Sequence, residues 1–165
     1  MKRILSFIFA ICLFNSCTTE EIVEVQENFF EASAFEIVLD FTPQNDYSFV
    51  EPYGFEVLPS DVTLVYISWE VDGGQDVWRL VPQTVIFEDG NDLVYNYDFT
   101  QNDVRFFLEG SNLGILGPEW TQAQVFRVVV VPAQNLGRGV DIDNVDYSDM
   151  EAVMEAYNIT EFQKR

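Results

Sequence analysis

The sequence predicts a mainly β protein, an antiparallel β-sandwich of the immunoglobulin-like or jelly-roll kind with one C-terminal α-helix. Three observations lead there. Within 61–100, runs of branched and aromatic residues at 62–69, 77–87 and 93–99 are separated by Asp72-Gly73-Gly74 and by Glu88-Asp89-Gly90-Asn91-Asp92. Such clusters suit hairpin turns, because glycine reaches positive φ without a Cβ penalty and Asp or Asn tolerates the left-handed region. The second observation is the run 125–131, apolar on both faces and rich in valines whose χ1 is restricted in a helix, which predicts a central strand covered on both sides. The third is Ser148-Asp149-Met150-Glu151, which has the form of a helix capping box. It opens a stripe of Met150, Val153, Met154 and Tyr157 at i, i+3, i+4 and i+7.

The chain begins with basic Lys2 and Arg3, an apolar run over 4–14, and then Asn15-Ser16-Cys17. That is the shape of a secretory signal, too short to span a bilayer as a helix, so residues 1–16 are expected to be removed. A small Ser16 ahead of Cys17 resembles the lipobox of bacterial lipoproteins, in which the thiol is acylated and becomes the new N-terminus. The departures from the strict pattern at Phe14 and Asn15 resemble the looser form found in Bacteroidota-type lipoproteins. The alternative is cleavage further along by the ordinary signal peptidase. From this motif to the closing helix the chain is similar to small envelope lipoproteins of the Bacteroidota type. The resemblance implies lipidation of Cys17 and a membrane attached through that lipid. It also implies an outer membrane location facing the periplasm or the cell surface, and no activity.

Charge sharpens the list of partners. The chain has 8 Lys and Arg against 28 Asp and Glu, and losing Lys2 and Arg3 with the signal takes the formal net charge from −20 to −22. Nucleic acid is excluded, since its binding is driven by Lys and Arg. Anionic headgroups are repelled too, so attachment rests on acyl chains, each buried CH₂ contributing about 0.8 kcal/mol. Residues 17–28 form an acidic tether with Glu20, Glu21, Glu24 and Glu27. If extended, it reaches about 35 Å at roughly 3.3 Å per residue. Glu20-Glu21 resembles an acidic signal for export to the cell surface, and a plain solvated linker is the other reading. The folded domain is expected over 29–165, and with Cys12 lost and Cys17 acylated it has no thiol.

In the domain, Phe35, Ile37, Leu39 and Phe41 share one strand face, and 42–45 turns into 47–50 as a second hairpin. Pro52, Gly54 and Pro59 then break the chain before the 61–100 meander, which is expected to be the sheet on which the rest packs. In its first run Val65, Ile67 and Trp69 share a face, while Thr63 and Ser68 suit a strand partly open to water. Pro82 marks an edge or bulge where a strand leaves one sheet for another. A turn at 101–103, a strand at 104–108 and an irregular loop at 110–118 follow. Asn158 suits the residue after the last helical turn. The triplet Asn158-Ile159-Thr160 matches a glycosylation acceptor and is read as chance in a bacterial lipoprotein.

No histidine occurs, which removes Ser-His-Asp and Cys-His catalysis and His-based zinc sites. Gly110, Gly114 and Gly117 lack dinucleotide-fingerprint spacing, and no phosphate loop is present. Paired carboxylates of the glycosidase kind remain, but so many acids place some pair at the right distance by chance. No enzyme and no cofactor are therefore predicted, a small carboxylate-based hydrolase being the last alternative. Two binding chemistries stand beside a structural or interaction module. Asp141, Asp143 and Asp146 gather oxygen ligands that calcium would favour, as do Asp89 and Asp92. The first loop has Val145 at its fifth position and no glycine at its sixth, so it is not the helix-loop-helix motif, and ordinary Asp-rich turns account for both. Tyr95 and Tyr97, with Phe99 on the same strand face, and Trp120 after the glycine-rich loop could stack a glycan or anchor a protein, or they could pack the core.

Overall fold

Alternation in the strands decides how the two layers of this protein close. A computed structural model describes residues 32–133 and 144–165. In chain order these residues form β1 (Ser33–Leu39), β2 (Ser48–Pro52), β3 (Val62–Asp72), β4 (Gln75–Leu80), β5 (Gln83–Ile86), β6 (Asp92–Phe99) and β7 (Asp103–Glu109). The short helix α1 (Pro118–Thr121), β8 (Gln124–Val131), helix α2 (Met150–Ala156) and β9 (Gln163–Lys164) follow. A five-stranded sheet in the order β4-β3-β8-β1-β9 packs on a four-stranded sheet in the order β2-β7-β6-β5, making the β-sandwich. All pairings are antiparallel except the two-residue β1–β9 pair.

The first strand behaves as its pattern predicts: Phe35, Ile37, Leu39 and Phe41 are all buried between the sheets. The expected hairpin after it does not form, because β1 pairs with β8 and β2 pairs with β7 in the other sheet. The backbone leaves the first sheet where Phe41 N–H donates to the Thr121 carbonyl at 2.7 Å. Asn45 then folds the chain over, its side-chain oxygen accepting from Thr42 N–H and its amide donating to the Asp40 carbonyl, each at 2.8 Å. The turn makes a crossover between layers, and turn residues alone carry no signal to tell the two apart.

The 61–100 stretch likewise is not one sheet. β3 and β4 are a hairpin through Gly73 and Gly74, both at positive φ, as a two-residue turn of this hand requires. At Pro82, which has no N–H for the ladder and follows a cis peptide, the run splits. β4 stays in the five-stranded sheet and β5 joins β6 in the other. The predicted passage of a strand from sheet to sheet at Pro82 is thus present, and the single meander sheet is replaced by a corner.

Strand β8 sits in the middle of its sheet with both faces covered. Phe126, Val128 and Val130 point into the sandwich, while Val129 and Val131 meet Leu64, Tyr66 and the helix residues Met150, Val153 and Tyr157. Fully burying each such side chain contributes about 1.5–3 kcal/mol, so α2 acts as a third layer. Its cap is Asp149 rather than Ser148: the Asp149 carboxylate accepts from Glu151 N–H at 2.9 Å and Ala152 N–H at 3.3 Å. A carboxylate is the stronger acceptor at the positive helix start. The Ser148 hydroxyl is taken by Asp146, to which it donates at 2.6 Å. Asn158 has φ 54, the left-handed conformation expected just past the helix. Among the described residues no helix is long and apolar enough to cross a membrane.

Candidate functional site

Tyr95 and Trp120 belong to one cluster beside the β5–β6 turn, where α1 leads into β8. Strand β6 points Tyr95 inward, 2% exposed, with its ring edge-on to Trp69 at 6.2 Å and near Phe126 at 6.4 Å. Its hydroxyl donates to the Trp120 carbonyl at 2.7 Å and lies 3.2 Å from the Gln124 side-chain oxygen. Burial pushes this phenol well above its ordinary pKa, since the protein interior does not solvate a phenolate. Trp120 is half-buried on α1, where its ring meets Phe87 edge-on at 5.3 Å. The glycine-rich loop before it folds back onto the core, with Leu113 and Leu116 packed inward.

Tyr97 is the next inward residue on β6. It is half-buried, its hydroxyl donates to the Thr63 carbonyl at 3.0 Å, and burial raises its pKa. Thr63 itself is buried rather than open to water, because its hydroxyl shares a 2.7 Å hydrogen bond with the Tyr53 hydroxyl. That inward Thr is satisfied, so the polar residue costs little there. Phe99, 41% exposed and stacked on Tyr97 at 6.4 Å, is the one member of the tyrosine row with a large open area. Most of the aromatic surface nominated for stacking is thus spent inside the protein.

The acidic turns are also internally engaged. Asp146 is exposed and accepts from Ser148 N–H at 2.9 Å and from the Ser148 hydroxyl, bonds that hold its carboxyl below the usual range. Asp141 and Asp143 lie outside the described residues. In the other turn, Asp92 accepts from both the N–H and the hydroxyl of Ser111, which lowers its pKa. Asn91 and Asn112 are bonded reciprocally at 3.1 and 3.0 Å, tying the β5–β6 turn to the 110–118 loop. Among the described residues no group of three or more acidic or thiol side chains is placed to hold a metal ion.

Arg127 is a feature that sequence reasoning passed over. Its guanidinium lies between the rings of Trp78 (4.1 Å) and Phe162 (4.5 Å) and pairs with Glu36 at 3.1 Å, on the helix-covered side of the sheet. The signal was present as a single charge within the apolar run 125–131. The other described cations are paired as well: Arg79 with Glu70, Arg105 with Asp98, Lys164 with Glu36 and Arg165 with Glu51. Every Lys and Arg among the described residues therefore has an acidic partner, and the uncompensated charge of the surface is negative.

Comparison with protein families, with curated proteins and with solved structures finds no match.

Proposed function

We propose that this protein is a lipid-anchored module of the cell envelope, attached to the outer membrane through an acylated Cys17. It acts there as a structural or interaction domain without catalysis, its partner a protein or a glycan. The observation that carries the reading is the leader itself: a basic start, an apolar run too short to span a bilayer, and Ser16 ahead of Cys17. Two features of the folded part support it. The hydroxyls of Tyr95 and Tyr97 and the carboxylates of Asp92 and Asp146 are committed to internal bonds, as in a domain built for rigidity. The described cations are all paired, so an acidic surface would not hold an anionic bilayer, and acyl chains supply the attachment.

Metabolic labelling with a fatty acid tests this in Cys17→Ser and parent cells. The parent should carry label and sediment with membranes, and the variant should lose both. Label retained by the variant contradicts the proposal.

A further inference from the structure

Strand β9 is short in backbone pairing and rich in side-chain anchors. Only Gln163 and Lys164 pair with β1, in the parallel sense, opposite Phe35 and Glu36, and both are exposed. The Arg165 N–H adds one bond to the Glu36 carbonyl at 3.0 Å. So few ladder bonds on a sheet edge leave the segment to be fixed by its side chains.

The first anchor is Arg165. Its guanidinium lies over the Phe35 ring at 3.9 Å, pairs with Glu51 at 3.1 Å and donates to the carbonyls of Pro52, at 2.9 Å, and Tyr53. These acceptors lie at the end of β2 and just past it, where Gly54 at φ 72 turns the chain. A carboxylate and two carbonyls converging over an aromatic face match a planar guanidinium with five donors, which a lysine ammonium does not reproduce. The seat is therefore selective for arginine.

The second anchor lies three residues earlier. The Phe162 ring stands 4.5 Å from the Arg127 guanidinium, which Trp78 also contacts at 4.1 Å. Between the anchors Lys164 reaches Glu36 at 3.6 Å, a pair that contributes little because the lysine is 85% exposed. Glu36 and Glu51 favour a basic segment along this edge and would repel an acidic one. Thr160, Glu161, Gln163 and Lys164 are all exposed. A segment with few buried apolar contacts and an exposed backbone opens locally while the rest of the domain stays folded.

We propose that the β1 edge, with the Arg165 seat beside it, is a binding site for an extended protein segment carrying an aromatic residue and, three positions on, an arginine. Residues 162–165 are its resident ligand, a strap that leaves the seat by local opening and yields it to a partner segment added in parallel to β1. The site does not depend on acylation of Cys17.

The full chain is tested with a peptide of residues 160–165, blocked at both ends, and with the same peptide bearing Arg165→Glu. In the chain, Arg165→Glu sets two carboxylates against each other and vacates the seat. That variant should bind the first peptide at least about tenfold more tightly than the parent does, with NMR shifts at Phe35 and Glu36. Arg165→Gln, which adds no charge to the seat, should also bind more tightly than the parent. The charge-reversed peptide should bind none of the three chains. Retained shifts at Val128 to Val130 show that the variants stay folded. Failure of both variants to bind the first peptide, or equal binding of the charge-reversed one, would overturn the proposal. The parent supplies a test that needs no substitution. In hydrogen exchange the Arg165 amide should exchange at least about a hundredfold faster than the Val129 amide in the middle of the sheet. Equal protection of the two would also overturn the proposal, because the strap would then open only when the whole domain unfolds.

Discussion

The five-stranded sheet buries both of its faces over most of its width, whereas the four-stranded sheet buries one and gives the other to water. On the first, Leu64, Tyr66, Val129 and Val131 lie under Met150, Val153 and Tyr157 of α2. On the second, the outward row pairs Val94 with Glu109, Asn96 with Phe107 and Asp98 with Arg105. There the Arg105–Asp98 ion pair and the Asn96–Glu109 hydrogen bond are exposed. Exposed ion pairs contribute at most about 1 kcal/mol, while each buried apolar side chain of the covered face contributes about 1.5–3 kcal/mol. The comparison teaches that a strand apolar on both sides requires a third layer, and here a helix of only two turns supplies it.

Removing the cover should have the largest effect. Truncation after Tyr147 exposes Leu64, Tyr66, Val129 and Val131 and takes away Met150, Val153, Tyr157 and Ile159, all buried. A loss of several kcal/mol is expected in urea unfolding. An unchanged midpoint would make α2 an appendage and erase the distinction between the faces.

A smaller effect isolates the polar bond within the seam. Tyr66→Phe leaves the Tyr147 carbonyl without its 2.7 Å donor and should cost about 1–2 kcal/mol. The same seam sets an alkaline limit. Desolvation raises the phenol of Tyr66 above its usual 10.0; for Tyr157, desolvation together with the hydrogen bond and charge interaction with Tyr147 does so. A folded-state pKa raised above the unfolded one stabilises fully below the unfolded value and is lost as pH rises through the folded value. Stability should therefore hold up to about pH 10 and fall above it, with Tyr66→Phe flattening that fall. Midpoints measured across this range decide whether it does.

The smallest effect concerns how the cover is started. Asp149→Ala should destabilise by about 1 kcal/mol, because its carboxylate receives two amides of the first turn. Ser148→Ala should cost less, since its hydroxyl donates to Asp146 outside the helix. Equal losses in thermal melts of the two variants would return the cap to Ser148.

Much of this contrast is legible in the sequence, and its exceptions have physical causes. The run 125–131 announces a doubly covered strand and the Met150, Val153, Met154 and Tyr157 stripe a docking helix, while only the structure shows that one covers the other. The run 104–108 reads as a strand, but with Phe107 outward it does not say which of its faces is wet. Which strands pair is a different matter, because Thr42 to Asn45 can turn a hairpin or cross between layers, and only the long-range β1–β8 and β2–β7 partners decide. Thr63 looked solvent-facing because its Tyr53 partner is fixed by tertiary structure. The same holds for Tyr95, whose partners Trp120 and Gln124 lie 25 and 29 residues away.

The central claim is that one outer face is interior and the other is surface, and a single substitution made on each tests it most directly. Val153 is fully buried in the helix seam, whereas Val50 is 50% exposed and paired with Arg105 on the open face. In urea unfolding, Val153→Asp should lose at least about 3 kcal/mol, because an uncompensated carboxylate enters an apolar layer. Val50→Asp should stay within about 1 kcal/mol of the parent. Similar losses for the two variants would contradict the account.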